Sequence, residues 1–124
     1  MKILVCDDDP PVRMIVSMVL KSLGHQMSVA CDGQEALEII QAKPRFFNLL
    51  IADNLMPRLS GVELVEKLRT LNIPLKTIMI TGFPSQLTVG VQDRLRLDGL
   101  LIKPFKPVQL FESVRNLAIV ESCK

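Results

Sequence analysis

Tryptophan and tyrosine are both absent from the 124 residues, and five phenylalanines supply every aromatic ring. A flavin flanked by indole and phenol rings therefore has nothing here to hold it. One histidine, His25, and three cysteines, Cys6, Cys31 and Cys123, are the only soft metal ligands besides methionine. The cysteines are odd in number, far apart and form no C-x-x-C pair. They read as buried or incidental thiols, not as a disulfide framework or metal site. Fifteen basic and thirteen acidic side chains leave a net charge of only +2. No extended run of like charges interrupts that balance, so the chain lacks the clustered basic face of a nucleic-acid partner. Apolar stretches are too short to span a bilayer, and Met1 to Cys6 meets three aspartates too soon for a signal peptide. A cytoplasmic protein with no nucleic-acid or membrane partner is expected. No repeat, low-complexity segment or linker divides the chain, so residues 1–124 read as one domain with room for a sizeable core and no output domain.

What is present is a regular alternation. Ile3 to Cys6 is a short apolar run that ends in Asp7, Asp8 and Asp9, followed by Pro10 and Pro11. Strand, loop and helix start follow, with Asp9 as N-cap and proline in the first turn, where its missing N–H is not needed. Val12, Ile15, Val16, Val19, Leu20 and Leu23 recur at helical spacing until Gly24 ends the stripe. Gln26 to Ala30 alternates weakly, as a half-buried or edge strand does. Asp32 and Glu35 then look like a cap and its capping-box acid, and Ala36, Leu37 and Ile40 form the core face of a helix closed by Pro44.

Leu49 to Ala52 is wholly apolar, as expected of a strand buried on both faces, and it delivers Asp53 at its end. A third helix begins near Ser60 or Gly61, buries Leu64, Val65 and Leu68, and stops before Pro74. Glu63 and Lys67 form an i,i+4 pair worth a few tenths of a kcal/mol. Leu75 to Thr81 is a fourth strand. Ser85 to Leu97 reads as a helix despite Gly90 in its middle, which costs about 1 kcal/mol relative to alanine. Gly99 to Ile102 is a fifth strand ending at Lys103, Pro104 and Phe105, and Leu110, Phe111, Val114, Leu117 and Ala118 mark the last helix. Five strands alternating with five helices imply an α/β fold with a parallel sheet covered on both faces. The flavodoxin-like (βα)5 arrangement, order 2-1-3-4-5, is the expected one.

In that sheet four strand ends carry chemistry on one edge: Asp7 and Asp8, Asp53, Thr81, and Lys103. Neighbouring first and third strands would bring their carboxylates to about one strand spacing, roughly 4.8 Å. Like charges so close raise one another's pKa unless a cation lies between them, and a hard divalent ion with oxygen ligands, Mg²⁺ foremost, would hold them ionised. A carboxylate nucleophile, a metal, an ammonium and a hydroxyl together suit phosphoryl transfer, which needs positioning and charge neutralisation above all. Asp53 would attack phosphorus, Lys103 and the metal would draw charge from the equatorial oxygens, and Thr81 would hydrogen-bond the bound group. Taken singly, each residue has a plainer role as cap, strand residue or snorkelling cation.

Val5 to Asp9, Asp53 to Pro57 with Gly61, Thr81 with Gly82, and Lys103 to Phe105 together resemble the response-regulator receiver domain of two-component signalling, over essentially the whole chain. The resemblance implies that Asp53 is the phosphoacceptor. Asp8, Asp53 and the backbone carbonyl of Leu55 would bind Mg²⁺ directly, with Asp7 acting through water. It further implies that Lys103 pairs with the phosphoryl group and that the Lys103 to Pro104 bond is cis. The implied partners are a sensor histidine kinase or histidine phosphotransfer protein and a downstream target, with the chain a monomer or a phosphorylation-dependent dimer. It would catalyse only its own phosphorylation and dephosphorylation. Loop residues such as Leu55 and Phe83 would set the phosphoryl lifetime by controlling water access.

One departure stands out. Receivers often carry an aromatic residue three positions before the lysine, and here that position is Leu100, so a different or weaker coupling to the surface of helix four, strand five and helix five is expected. Two enzyme-like readings fare worse. Asp7 and Asp9 spell the D-x-D of haloacid-dehalogenase phosphatases, but Pro11 replaces the expected Thr or Val and no cap domain is present. Flavodoxin needs a hydroxyl-rich phosphate loop after the first strand, where aspartates would repel the FMN phosphate. A receiver-like docking module that works without phosphorylation is the remaining alternative, and the intact Asp8, Asp53, Thr81 and Lys103 set argues against it.

Overall fold

The computed structural model describes the backbone of residues 1–122 and the side chains of residues 1–118; Cys123 lies outside the described residues. Five strands, β1 (Lys2–Cys6), β2 (Gln26–Ala30), β3 (Leu49–Asp53), β4 (Lys76–Thr81) and β5 (Gly99–Ile102), alternate with five helices. These are α1 (Pro10–Ser22), α2 (Gly33–Ala42), α3 (Gly61–Thr70), α4 (Val89–Leu95) and α5 (Pro107–Ser122). All pairings are parallel and the order is β2-β1-β3-β4-β5. The fold is flavodoxin-like α/β, as the alternation implied.

The burial of β3 on both faces follows from its neighbours. Leu50 and Ala52 join the cluster under α2 and α3, with Ala36, Ile40, Leu64 and Leu68. Leu49 and Ile51 face the opposite cluster, with Val16 and Leu20 of α1 and Leu110 and Val114 of α5. A strand sandwiched in this way has no polar face to offer, which is why its sequence does not alternate. The edge strand β2 is more exposed, as an edge should be, but its burial does not alternate: Met27 is half-buried, Ser28 and Val29 are exposed and Ala30 is fully buried. No helix among the described residues is long and apolar enough to cross a membrane.

Three local expectations need correction. Ser85 to Leu97 is not one helix: Pro84–Gln86 forms a 3-10 turn, and α4 begins only at Val89, where the Thr88 hydroxyl accepts the Val91 N–H. Gly90 thus sits in the first turn rather than mid-helix, and Arg96 in the left-handed region closes α4. Asp9 is the N-cap of α1 but its carboxylate makes no capping hydrogen bond; its own N–H donates to Asp7 instead. Glu63 closes a reciprocal capping box with Ser60 at the start of α3, so its carboxylate serves the helix end instead of the expected pairing with Lys67. The cap at Asp32 is as expected, its side chain accepting the Glu35 N–H, but among the described bonds Glu35 does not return one to close a capping box.

Candidate functional site

Two strand ends use the same device. Asp7, just past β1, accepts the Asp9 N–H on Oδ1 at 2.8 Å, and Asp53, ending β3, accepts the Leu55 N–H on Oδ1 at 3.0 Å. An aspartate that caps the backbone two residues on turns the chain sharply, and here it also fixes its second oxygen. Those second oxygens face a common space. Asp53 Oδ2 takes the Lys103 ammonium at 2.6 Å, and Asp7 Oδ2 lies 4.0 Å from the same nitrogen. Asp7 is 1% exposed and Asp53 4%, while Asp8 is exposed. Oxygens of Asp7, Asp8 and Asp53 all lie within 4.8 Å of one another.

Three carboxyl groups against one ammonium leave the site short of positive charge. Burial, and then the charge of Asp53, push the Asp7 carboxyl up to about 6, although the Asp9 N–H and Lys103 act against the rise. Burial alone would lower the Lys103 pKa, but the hydrogen bond that Lys103 donates to Asp53 and the charges of Asp7, Asp53 and Asp9 outweigh it and hold it above the ordinary lysine value. Among the described residues Asp7 Oδ2 is buried with no hydrogen-bond partner. An orphaned buried oxygen beside two further carboxyls is the donor set a hard divalent cation takes.

The remaining side chains are placed by the sheet edge. Lys103 follows β5, its N–H donating to Thr81 O at 2.7 Å, and the Lys103–Pro104 peptide is cis. Thr81 is buried at the end of β4, and its hydroxyl accepts the Phe83 N–H at 2.9 Å. Gly61 is required by close approach, because a Cβ there would lie 2.6 Å from Asp53 O and 2.9 Å from Asn54 Cα. Beneath the loop the Cys6 thiol donates to Met56 Sδ at 3.0 Å, and burial, then nearby carboxylates led by Asp32, push its pKa to about 12. Cys6 is therefore a buried, unreactive thiol, and Cys31 is exposed. Asn54 was not foreseen: one residue past Asp53, it hydrogen-bonds both α3 and the 3-10 turn. Its only trace in the sequence is a polar residue beside the strand-end acid.

Residues 3–115 match the family model described as the response regulator receiver domain. The chain belongs to the response regulator receiver family. Among curated receiver-containing relatives, a probable transcriptional regulator ycf27 of Cyanophora paradoxa is 34% identical over 117 residues, 94% of this chain and 47% of that protein. The response regulator receiver protein CpdR of Brucella abortus is 30% identical over 118 residues, 95% of this chain and 97% of its own length. The chain spans about half the length of the first of these and nearly all of the second. A solved receiver-family structure, the response regulator TrrA from Thermotoga maritima in complex with Mg(2+)-BeF, has a TM-score of 0.80 at 29% identity, covering 94% of this chain and 97% of that one. At the position where many receivers carry an aromatic ring, Leu100 lies half-buried across the β4–β5 register from Met79.

Proposed function

We propose that the chain is a phosphoacceptor switch that takes a phosphoryl group from a phosphohistidine onto Asp53 and thereby changes its affinity for a partner. The observation that carries this reading is the convergence of three carboxyl groups within 4.8 Å, with Lys103 2.6 Å from Asp53. Asp53 is the nucleophile because a carboxylate oxygen can attack without a general base. Its oxygen forms the bond to phosphorus as the bond from phosphorus to the histidine nitrogen breaks, the electron pair leaving with the imidazole. Lys103, held charged by its acidic neighbours, moves from the free carboxylate to the phosphoryl oxygens. The Thr81 hydroxyl, which accepts the Phe83 N–H at rest, would turn to hydrogen-bond the same group. Asp8, Asp53 and the Leu55 carbonyl would hold Mg²⁺ directly and Asp7 through water; when bound, the ion supplies neutralising charge to the transferring phosphoryl group.

The donor is a sensor histidine kinase or histidine phosphotransfer protein, and the output falls on another protein or on a neighbouring domain. On this reading the chain acts on no separate substrate, and its only catalysis is of its own phosphorylation and dephosphorylation. Intact mass after incubation with acetyl phosphate tests the reading. A single phosphoryl adduct that requires Mg²⁺ and is lost in Asp53→Asn is the expected result. No adduct, with Mg²⁺ binding intact, would leave a docking module that works unphosphorylated.

A further inference from the structure

Asn54 makes four hydrogen bonds around the acceptor aspartate. Its N–H donates to Ile80 O at 2.9 Å and its carbonyl accepts the Gly61 N–H at 3.1 Å. Its Oδ1 accepts the Val62 N–H at 3.0 Å, and its Nδ2 donates to Gln86 Oε1 at 3.2 Å. The first three fix Asn54 rigidly to β4 and to the start of α3. Only the fourth reaches outward, to the last residue of the 3-10 turn. The other end of that turn is pinned by Phe83 N–H on the Thr81 hydroxyl. Buried Leu87 and the α4 cap Thr88 follow directly, so the position of the turn sets where α4 begins.

We infer that the Asn54–Gln86 hydrogen bond is a latch that holds the turn and the start of α4 in their resting position, and that it couples Asp53 to α4 in a receiver with Leu100 in place of an aromatic ring. The inference rests on the phosphoacceptor reading above. When the Thr81 hydroxyl turns toward a phosphoryl group, the Phe83 amide loses its acceptor and Gln86 becomes the turn's remaining tether to the site. Asn54 is held on three sides, so the Gln86 arm gives. A bond present only in the resting state opposes the switched state, and its removal favours the switched state by the same factor.

Calorimetric affinity for beryllofluoride in saturating Mg²⁺, measured on the parent chain, Gln86→Ala and Gln86→Glu, tests this. Gln86→Ala should bind about threefold to tenfold tighter, the factor one net hydrogen bond supplies. Gln86→Glu keeps an Oε1 acceptor and should stay close to the parent. Amide exchange without metal gives a second readout: Gln86→Ala should exchange faster from Phe83 to Val91, with Gly61 and Val62 unchanged. A parent chain that binds no beryllofluoride overturns the phosphoacceptor reading and the latch with it. A parent that binds while Gln86→Ala binds no tighter, or while Gln86→Glu behaves like Gln86→Ala, overturns the latch alone.

Discussion

Replacing Asp7 by asparagine should stabilise the fold at neutral pH and leave it unchanged in acid. The Asp7 carboxyl is lifted from its ordinary 3.8 to about 6, by burial first and by Asp53 next. Between those values the native chain keeps a proton that the unfolded chain has already released. Stability is therefore greatest below the lower value and falls as pH rises through the upper one. Two units at about 1.4 kcal/mol each put the full cost of an ionised Asp7 at about 3 kcal/mol. Asparagine removes that cost and can still accept the Asp9 N–H through its amide oxygen. Lys103, 4.0 Å away, opposes the rise and is already contained in that figure, so asparagine should gain up to about 3 kcal/mol at neutral pH. Urea unfolding from about pH 4 to about pH 8 reads it as a change in midpoint at constant slope. Saturating Mg²⁺ should raise the stability of the parent chain more than that of Asp7→Asn, since the ion removes the same repulsion. Two stability curves that run parallel across the whole range, or an asparagine variant that is less stable at neutral pH, would refute the reasoning.

Other expectations follow from the same geometry. Gly61→Ala forces a Cβ against Asp53 O and Asn54 Cα and should cost about 1–3 kcal/mol in urea unfolding, with slower phosphorylation because Asp53 is displaced. Lys103→Met strands a buried Asp53 carboxylate and should cost about 1–3 kcal/mol in urea unfolding at neutral pH, below the range for fully buried pairs because the ammonium is partly exposed. Leu55 and Phe83 are 58% and 52% exposed on the two loops after β3 and β4. Leu55→Ala and Phe83→Ala should each shorten the phosphoryl lifetime by opening the site to water, and unchanged decay of the adduct mass in both variants would contradict this. Beryllofluoride should shift amide resonances more strongly from Phe83 to Val91 than from Leu100 to Ile102, and a response as full on β5 as in aromatic-bearing receivers would contradict the role given to Leu100.

Much of this was legible in the residues. The apolar run into Asp53 announced a doubly covered strand, and the strand ends at Asp7, Asp53, Thr81 and Lys103 carried the candidate site because a parallel sheet puts all such ends on one edge. The carboxylates expected to converge from the first and third strands do so, with ligand oxygens of Asp7, Asp8 and Asp53 within 4.8 Å of one another. What escaped depends on partners distant in sequence or on competing local bonds. Ser85 to Leu97 has helical periodicity, yet Thr88 captures the Val91 N–H and starts α4 late. Ser60 and Glu63 have capping-box spacing, but the i,i+4 pattern of Glu63 and Lys67 competes for the same carboxylate. Asn54 and Gln86 are 32 residues apart, and no periodicity links them. Arg69 gave no sign that its guanidinium would bond the carbonyls of Ile73, Leu75 and Leu95, joining α3 to the ends of β4 and α4.

The central claim is that phosphoryl transfer occurs on Asp53. An acyl phosphate is reduced by borohydride to an alcohol, so the modified aspartate is converted to homoserine and can be located by peptide mass mapping. After acetyl phosphate and Mg²⁺, the account predicts homoserine at position 53, aspartate retained at positions 7 and 8, and no conversion when Mg²⁺ is withheld. Homoserine at Asp7 or Asp8 with Asp53 unchanged would contradict it.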